Sequence, residues 1–412
     1  MKLEDLKKYK KILILGYGKE GKATEKFLKK YSPDSIIGIA DQRIDRHYLK
    51  EQINYDLVIK TPGISKKLIS RPYTTASNLF FSNIKNIVIG VTGTKGKSTT
   101  ASLIFSILKK AKKKVRLVGN IGKPMLEELL KPVNKDTVFV IELSSFQLED
   151  MQSSPHISVV LDLFPEHMNF HGSVDQYYLA KKKIISKVKK DDYFIYNSKF
   201  EELRNWASET KCQVIPFGNF DFDIKSTNLL GEHNLENIKA AITVAHIFEV
   251  DNNTISEAIK KFKPLPHRLQ KVGLFKGIIF YDDAISTTPE STIFAIKSLK
   301  NIGTIFLGGE DRGYSFEELV KIILDYKIRN IVLFPNSGDK IFKLIKNQLN
   351  QKMPNILETR SMEEAVKFAY RNTPKGFICL LSCASPSYSL WDNFEQKGDE
   401  FQRYINKYAK KS

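Results

Sequence analysis

The stretch VIGVTGTKGKSTT, residues 88–100, decides how the rest of this chain is interpreted. A β-rich run precedes a glycine-containing turn and a helical pattern follows it, which is the context of a phosphate-binding loop. Gly93 and Gly96 allow backbone N–H groups to face an anion at the start of a helix. Lys97 is expected to reach the β- and γ-phosphates, and the Ser98 hydroxyl to ligate Mg²⁺. The loop therefore predicts ATP binding.

On both sides of this loop, strand-length apolar runs alternate with amphipathic segments, which is typical of βαβ units and parallel sheets. Three such blocks are predicted, over residues 1–86, 87–266 and 267–412. The predicted fold class is α/β, with an N-terminal Rossmann-like domain, a central P-loop ATPase-like domain with a mostly parallel sheet, and a C-terminal Rossmann-like domain. The segment KFKPLPH, 261–267, has two prolines and is predicted to be a linker.

The composition excludes several classes of protein. Hydrophobic residues make up 42% and charged residues 27%, the balance of a soluble globular protein. No apolar run approaches the roughly 20 residues that a membrane span needs, and the N-terminus lacks an apolar signal-peptide region. The three cysteines form no CxxC pair and predict neither a zinc site nor a disulfide framework. We expect a cytoplasmic enzyme.

The net charge of +19 raises the hypothesis of a nucleic-acid partner. The lysines are scattered in runs such as 108–116 and 180–190 and are not interleaved with a base-stacking motif. Solvated helix faces are the favoured interpretation, and we expect no nucleic-acid partner. A P-loop NTPase acting on nucleic acid stays as an alternative, and it predicts salt-sensitive binding.

The loop TGTKGKST, 92–99, has Val91 where the strict P-loop pattern has glycine, and in this form it resembles the ATP loop of the Mur ligase family. Seven further motifs follow in that family's order: ELSSFQLE (142–149), FPEHMNFHGSVDQYYLAKKK (164–183), GEHNLENIKAA (231–241), PHRLQ (266–270), DDAISTTPEST (282–292), LGGEDRG (307–313) and SLWDNFEQKGDEF (389–401). The resemblance covers essentially the whole chain. Two of these motifs are most similar to the branch that adds D-glutamate to UDP-N-acetylmuramoyl-L-alanine.

The resemblance implies a reaction in peptidoglycan precursor synthesis. ATP would convert the carboxylate of UDP-N-acetylmuramoyl-L-alanine into an acyl phosphate, and the glutamate amine would displace phosphate through a tetrahedral intermediate. Its partners would be these small-molecule substrates, and we expect a monomer. Open alternatives are the same chemistry with L-glutamate or another amino acid, including a folylpolyglutamate-type ligase. Residues 1–86 precede the block that contains the phosphate-binding loop, and their presence counts against a folylpolyglutamate-type ligase.

The resemblance assigns residues to ATP and to two Mg²⁺ ions, with ATP between the second and third domains. The expected catalytic residues are Lys97, Glu142, His167 and Lys181. The expected ATP contacts are Gly93, Thr94, Lys95, Gly96, Lys97, Ser98, Thr99, Asn237, Arg268 and Asp283, with His233 close by. The expected Mg²⁺ ligands are Ser98, Glu142, His167 and a carbamylated Lys181. Glu166 and Asn169 stand where the family has Asp. From the residues alone, Lys181 could be a solvated lysine and Asn234 a helix N-cap.

The motif ILGYGKEG, 14–21, is a G-x-G-x-x-G between a predicted strand and helix, which alone would suggest a dinucleotide. The resemblance implies the uridine diphosphate of the substrate instead. The expected contacts are Gly16, Gly18, Gly21, Asp41, Arg43, Gly63 and Asn120. Glu20 replaces the family's small hydroxyl residue, and a carboxylate beside a diphosphate is unfavourable unless it points away.

In the third block, the resemblance assigns four residues to the incoming glutamate: Thr287, Arg312, Ser387 and Phe394. Arg312 is the natural partner of a side-chain carboxylate. Two departures lie beside this pocket, because Ile285 replaces a lysine of the family and the sequence of residues 381–389 differs from the family pattern. They leave the stereochemistry of the glutamate open.

Overall fold

The computed structural model describes residues 1–218, 227, 229, 232–348 and 353–410, and the side chains of residues 169, 232 and 233 lie outside this description. The predictions for Asn169 and His233 therefore fall outside the described residues. The chain forms two compact units, Met1–Phe262 and Lys263–Ser412. The division lies at the start of the proline-containing segment that the sequence predicts to be a linker.

The first sheet of the N-terminal unit is parallel and has the strand order β2-β1-β3-β4. Its strands are β1 (Lys11–Leu15), β2 (Ile36–Ala40), β3 (Leu57–Lys60) and β4 (Tyr73–Thr74), and its helices are α1 (Leu3–Leu6), α2 (Lys19–Tyr31) and α3 (Ala76–Ser82). Short 3-10 segments span Tyr48–Asn54 and Lys66–Leu68. β1 is an apolar run buried on both faces, as a parallel strand requires.

The second sheet is also parallel, with the order β10-β9-β8-β5-β7-β6. Its strands are β5 (Val88–Thr92), β6 (Val115–Gly119), β7 (Val138–Glu142), β8 (Ile157–Val160), β9 (Tyr193–Asn197) and β10 (Gln213–Phe217). Its helices are α4 (Lys97–Lys110), α5 (Met125–Leu129), α6 (Ser145–Leu148), α7 (Met168–His171), α8 (Val174–Lys182), α9 (Glu201–Glu209), α10 (Glu232–Ile247) and α11 (Asn252–Lys261), with a 3-10 segment at Lys183–Ile185.

These two sheets share one hydrophobic core. Buried side chains of the first sheet and its helices pack in the same cluster as side chains of the second sheet. Phe80 of α3 meets Phe139 of β7 edge-on, with ring centroids 5.2 Å apart. This shared core explains why residues 1–262 form a single compact unit, although the sequence predicts two domains there.

A buried ion pair also joins the two sheets. Lys60, the last residue of β3, lies 2.5 Å from the Asp150 carboxylate after α6, and both side chains are inaccessible to solvent. Lys60 Nζ also donates to the Ile64 carbonyl at 2.9 Å, and the Tyr73 hydroxyl donates to Asp150 at 3.0 Å. The remaining polar atoms of the pair are thus largely satisfied, as burial of charge requires.

The C-terminal unit has a six-stranded sheet of order β11-β12-β16-β13-β14-β15, parallel except for β11. Its strands are β11 (Gln270–Phe275), β12 (Ile278–Asp282), β13 (Ile302–Gly309), β14 (Asn330–Asn336), β15 (Asn355–Glu358) and β16 (Ile378–Leu381). Its helices are α12 (Pro289–Ser298), α13 (Glu317–Asp325), α14 (Ser337–Gln348), α15 (Met362–Asn372) and α16 (Phe394–Ala409).

The structure confirms the predicted α/β class with mostly parallel sheets. β8 covers only the first part of the apolar run 157–164, since it ends at Val160 and the remaining residues form a loop. Among the described residues, no helix combines the length and apolarity that crossing a membrane requires.

Removing one partner of the buried pair should destabilise the N-terminal unit strongly. Lys60→Met leaves the Asp150 carboxylate buried without its cation, and we expect a loss of about 3–5 kcal/mol in the free energy of unfolding. Urea unfolding measures this loss. The control is Lys8→Met, which removes an exposed pair with Asp5 and should cost less than about 1 kcal/mol. Equal losses in the two variants would contradict the expectation.

Candidate active site

The phosphate-binding loop is held against α10 by an asparagine. Gly96 adopts φ +79° at the start of α4, and a Cβ atom there would lie 2.1 Å from Asn237 Oδ1. The Thr100 hydroxyl donates to the same oxygen at 3.1 Å, and Asn237 Nδ2 donates to Asn234 Oδ1 at 2.9 Å. The two asparagines thus share one helix face as predicted. The alternative that Asn234 caps the helix is wrong, since α10 begins at Glu232.

Two lysines donate to one carbonyl of this loop. Lys97 Nζ donates to the carbonyl oxygens of Gly93 at 3.0 Å and Thr94 at 2.7 Å. Lys181 Nζ, from α8, donates to the same Gly93 oxygen at 2.7 Å and lies 4.7 Å from the centre of the Tyr177 ring. Burial and the neighbouring Lys97 ammonium hold the pKa of Lys181 well below its usual range. Lys181 is therefore a buried lysine and not a solvated helix lysine.

Burial also lowers the pKa of Lys97, although Glu142, Glu166 and Asp162 oppose the shift. Glu142 is the last residue of β7 and pairs in register with Val91, just before the loop. Its side chain is buried, and Oε2 has no hydrogen-bond partner among the described residues. A buried carboxylate oxygen in this state fits the binding of a cation.

Asp162 fixes the loop backbone, and the sequence prediction missed this residue. Its Oδ1 accepts from the backbone N–H groups of Thr94 and Lys95, the latter at 2.9 Å, and burial raises its pKa. Nearby, the Lys95 ammonium lies 2.7 Å from Glu166. Burial raises the pKa of Glu166, but Lys95 outweighs it, so the net shift is downward. The position of Asp162 just after a buried strand was the available indication.

His167 begins the short helix α7 with a left-handed backbone, φ +61°. Its ring lies 4.9 Å from the ring of Phe146, and Nε2 is 3.6 Å from Glu166. Burial lowers its pKa, with the Lys97 and Lys181 charges adding to the effect against Glu166. The imidazole is therefore neutral near pH 7, the form that binds metals.

The predicted metal ligands differ in how they fit a cation. In the described part of the chain, no group of three or more His, Cys, Asp or Glu side chains could hold a metal by itself. The Glu142 carboxylate suits Mg²⁺, which prefers oxygen ligands, and a neutral His167 imidazole offers a nitrogen ligand to a divalent ion. Lys181 instead donates a hydrogen bond to the Gly93 carbonyl. Lys181 would become an oxygen ligand only as a carbamate.

The glycine loop of the first sheet is tightly packed. Gly16 adopts φ +92°, and a Cβ atom there would lie 2.0 Å from Thr61 Oγ1. The N-terminus of α2, at Gly18, has no side-chain cap. Asp41 accepts from the backbone N–H of Tyr17 and forms two hydrogen bonds with the Arg43 guanidinium, which lowers the pKa of Asp41.

Two further residues expected at the substrate, Gly63 and Asn120, are exposed. Asn120 follows Gly119, which pairs in register with Glu142.

In the C-terminal unit, Asp283 joins three segments near Arg268. Its carboxylate accepts from the backbone N–H of Leu269 at 3.0 Å and from the hydroxyls of Ser286 and Ser382. Burial raises its pKa to about 6. Beside it, His267 Nδ1 lies 2.7 Å from Asp282, an interaction that the sequence prediction missed.

Of the four residues expected at the glutamate, three lie in loops of this unit and Phe394 begins a helix. The Arg312 guanidinium contacts Glu310 at 3.0 Å and lies 5.7 Å from the Tyr388 ring centre. Ser387 is buried, and its hydroxyl has no partner among the described residues. Phe394 begins α16, and Thr287 precedes the N-cap of α12.

Comparison with known proteins identifies the family. Residues 91–227 match the Mur ligase middle domain. The chain is 33% identical to a UDP-N-acetylmuramoylalanine--D-glutamate ligase of Streptococcus pyogenes serotype M4 (strain MGAS10750), over 95% of this chain and 96% of that protein. The chain belongs to the Mur ligase family. The predicted resemblance is thereby confirmed.

Two solved Mur ligases from Thermotoga maritima share the fold. The UDP-N-acetylmuramate-alanine ligase superposes with a TM-score of 0.63 at 18% identity, over 98% of this chain and all of that chain. The MurF ligase, solved in complex with ADP, superposes with a TM-score of 0.61 at 16% identity, over 98% of this chain and 99% of that chain. At these identities the likeness supports the fold alone.

The phosphate loop of this Mur ligase should not tolerate a side chain at position 96. Gly96→Ala would force the new methyl group against Asn237, and we expect at least a tenfold loss of ATP affinity, measured by calorimetry. The control is Gly376→Ala, which has a similar φ of +82° but no atom within 4 Å of the new Cβ. Equal ATP affinities in the two variants would contradict the steric argument.

Proposed function

We propose that this Mur ligase joins D-glutamate to UDP-N-acetylmuramoyl-L-alanine at the expense of ATP. The observation that carries the proposal is the near full-length match to a D-glutamate ligase. In this chain Glu142 ends the strand beside the phosphate loop, and its buried Oε2 has no hydrogen-bond partner among the described residues. Since ATP and nucleotide-linked sugars are cytoplasmic metabolites, we expect the reaction to take place in the cytoplasm.

In the first step, a carboxylate oxygen of UDP-N-acetylmuramoyl-L-alanine attacks the γ-phosphorus of ATP, and ADP leaves. Catalysis of such a transfer depends on positioning and on neutralising charge at the phosphoryl oxygens. Lys97 supplies a positive charge whose neighbours Glu142, Glu166 and Asp162 favour the ammonium form. Asp162 holds the loop backbone in place through Thr94 and Lys95.

Mg²⁺ fits the donors of this site and would neutralise phosphate charge when bound. Ser98 and Glu142 would hold one ion, and His167 with a carbamylated Lys181 would hold the second. The remaining ATP contacts are proposed at Gly93, Thr94, Lys95, Gly96, Thr99, Asn237, Arg268 and Asp283.

In the second step, the glutamate amine attacks the acyl carbon, and phosphate leaves from the tetrahedral intermediate. Arg312 would bind the side-chain carboxylate of glutamate, because its planar guanidinium suits bidentate contacts. The Ser387 hydroxyl, which has no hydrogen-bond partner in the described part of the chain, would be a further donor, and Thr287 and Phe394 would complete the proposed pocket. The UDP portion of the substrate would contact Gly16, Gly18, Gly21, Asp41, Arg43, Gly63 and Asn120.

The test is phosphate release from ATP and Mg²⁺ with each substrate present or omitted. We expect turnover to require both UDP-N-acetylmuramoyl-L-alanine and D-glutamate. Turnover with L-glutamate only would overturn the stereochemistry and keep the ligase chemistry. ATP hydrolysis that needs neither substrate, or needs nucleic acid, would overturn the proposal.

Lys97→Ala should reduce this turnover by about 100- to 1,000-fold, because it removes a charge aimed at the transferring phosphoryl group. Lys109→Ala, on the exposed face of the same helix α4, should retain wild-type turnover. Similar rates in the two variants would exclude the proposed role of Lys97.

The carbamate on Lys181 has its own test. The depressed pKa supplies the neutral amine that reacts with CO₂, so depletion of bicarbonate should lower activity and its return should restore it. With ¹³C-bicarbonate, a carbamate resonance should appear in the wild type and be absent from Lys181→Ala, which should be inactive. The control is Lys182→Ala, a change at the adjacent lysine, which pairs with Glu209. This variant should keep both the activity and the carbamate resonance. A fully active Lys181→Ala would remove the carbamate from the mechanism.

A further inference from the structure

Glu20 occupies an unusual position for a carboxylate. It is the second residue of α2, directly after the glycine loop, at a helix N-terminus that has no side-chain cap. Such a terminus attracts an anionic ligand, and the proposed function brings the substrate diphosphate to this loop. Glu20 Oε1 is nevertheless buried and has no hydrogen-bond partner among the described residues.

The Gln147 side chain, which lies beside Glu20, is held in place by hydrogen bonds from Ser144. Gln147, on α6, is buried, and its Oε1 accepts from both the backbone N–H and the hydroxyl of Ser144 at 3.0 and 3.2 Å. This capping box fixes the orientation of the amide. Its Nε2, like Glu20 Oε1, is buried and without a hydrogen-bond partner in the described part of the chain. The Gln147 amide thus lies beside the Glu20 carboxyl at the glycine loop.

The Lys60 ammonium, at the end of β3, acts on the Glu20 carboxyl and is itself paired with Asp150. Burial raises the pKa of the Glu20 carboxyl to about 7, although Gln147 and Lys60 lower it in part. Near neutral pH the carboxyl is therefore divided between its charged and neutral forms. A diphosphate arriving at the same loop repels the charged form and favours the neutral one.

We propose that Glu20 makes substrate binding proton-linked: the pocket takes the diphosphate of the nucleotide sugar together with one proton, which the Glu20 carboxyl holds. No covalent bond forms or breaks, and the proton comes from solvent. The neutral carboxyl can donate a hydrogen bond where the carboxylate could only repel. The inference rests on the proposed function, because it assumes that UDP-N-acetylmuramoyl-L-alanine binds at this loop.

The sign of the pH dependence follows from linkage. If the bound state holds the proton more tightly than the free protein, affinity is highest below the free pKa and falls as pH rises through it. We expect a nearly constant dissociation constant below about pH 7 and a rise of up to about tenfold per pH unit above it. The diphosphate of a nucleotide sugar is doubly esterified, so the ligand does not titrate in this range.

The experiment is isothermal titration calorimetry of the full chain with UDP-N-acetylmuramoyl-L-alanine, without ATP or glutamate, between pH 6 and 8.5. At pH 8, the dependence of the binding enthalpy on the ionisation enthalpy of the buffer gives the number of protons taken up. The wild type should take up between about half a proton and one proton. Glu20→Gln and Glu20→Thr should take up none and should bind with an affinity independent of pH.

The control is Glu25→Gln on the same helix. Hydrogen bonds from Lys29 and Tyr17 lower the pKa of Glu25, so it stays ionised over this range and its loss should leave the proton uptake unchanged. Wild-type binding without proton uptake would overturn the inference whether or not the variants fold, as would uptake that persists in Glu20→Gln. Absence of binding at every pH would instead overturn the proposed substrate.

Discussion

The phosphate-binding loop of the N-terminal unit is organised around one backbone carbonyl. The Gly93 oxygen accepts hydrogen bonds from Lys97 and Lys181, so two amino groups meet in a space from which water is largely excluded. Both cannot easily be charged there, because burial and mutual repulsion act in the same direction. The carboxylates of Glu142, Asp162 and Glu166 offset this repulsion at Lys97, and Lys181 carries the larger downward shift. The fold thereby places two identical side chains at one oxygen and lowers the pKa of Lys181 further than that of Lys97.

The parallel sheet makes this arrangement possible. In an open parallel sheet, the loops after the strands gather at the carboxyl edge, where ligands bind. Here β5 delivers the phosphate loop, β7 ends in Glu142 and β8 leads to Asp162, and these are neighbouring strands. Asp162 has no proposed contact with a substrate, yet it holds the backbone of the loop that would bind ATP.

The helix α6 connects two parts of the N-terminal unit. It begins three residues after Glu142, its Phe146 ring packs against His167, and its Gln147 lies beside Glu20 of α2. The Lys60–Asp150 pair and the shared hydrophobic core hold the first sheet in place around it. The two proposed substrate regions of this unit are therefore coupled through packed, buried groups and not through a flexible linker.

Local sequence patterns predict the α/β class and the position of the phosphate loop, since hydrophobic periodicity and glycine spacing act over a few residues. The order of the further motifs along the chain indicates the ligase family by resemblance. Only the tertiary structure decided that Lys181 meets Gly93, that Asp162 holds the loop and that Glu20 lies beside Gln147 and Lys60. Lys181 is 88 residues from its acceptor. Charges and pKa values at such places depend on distance and burial in space, and neither can be obtained from residue types along the chain.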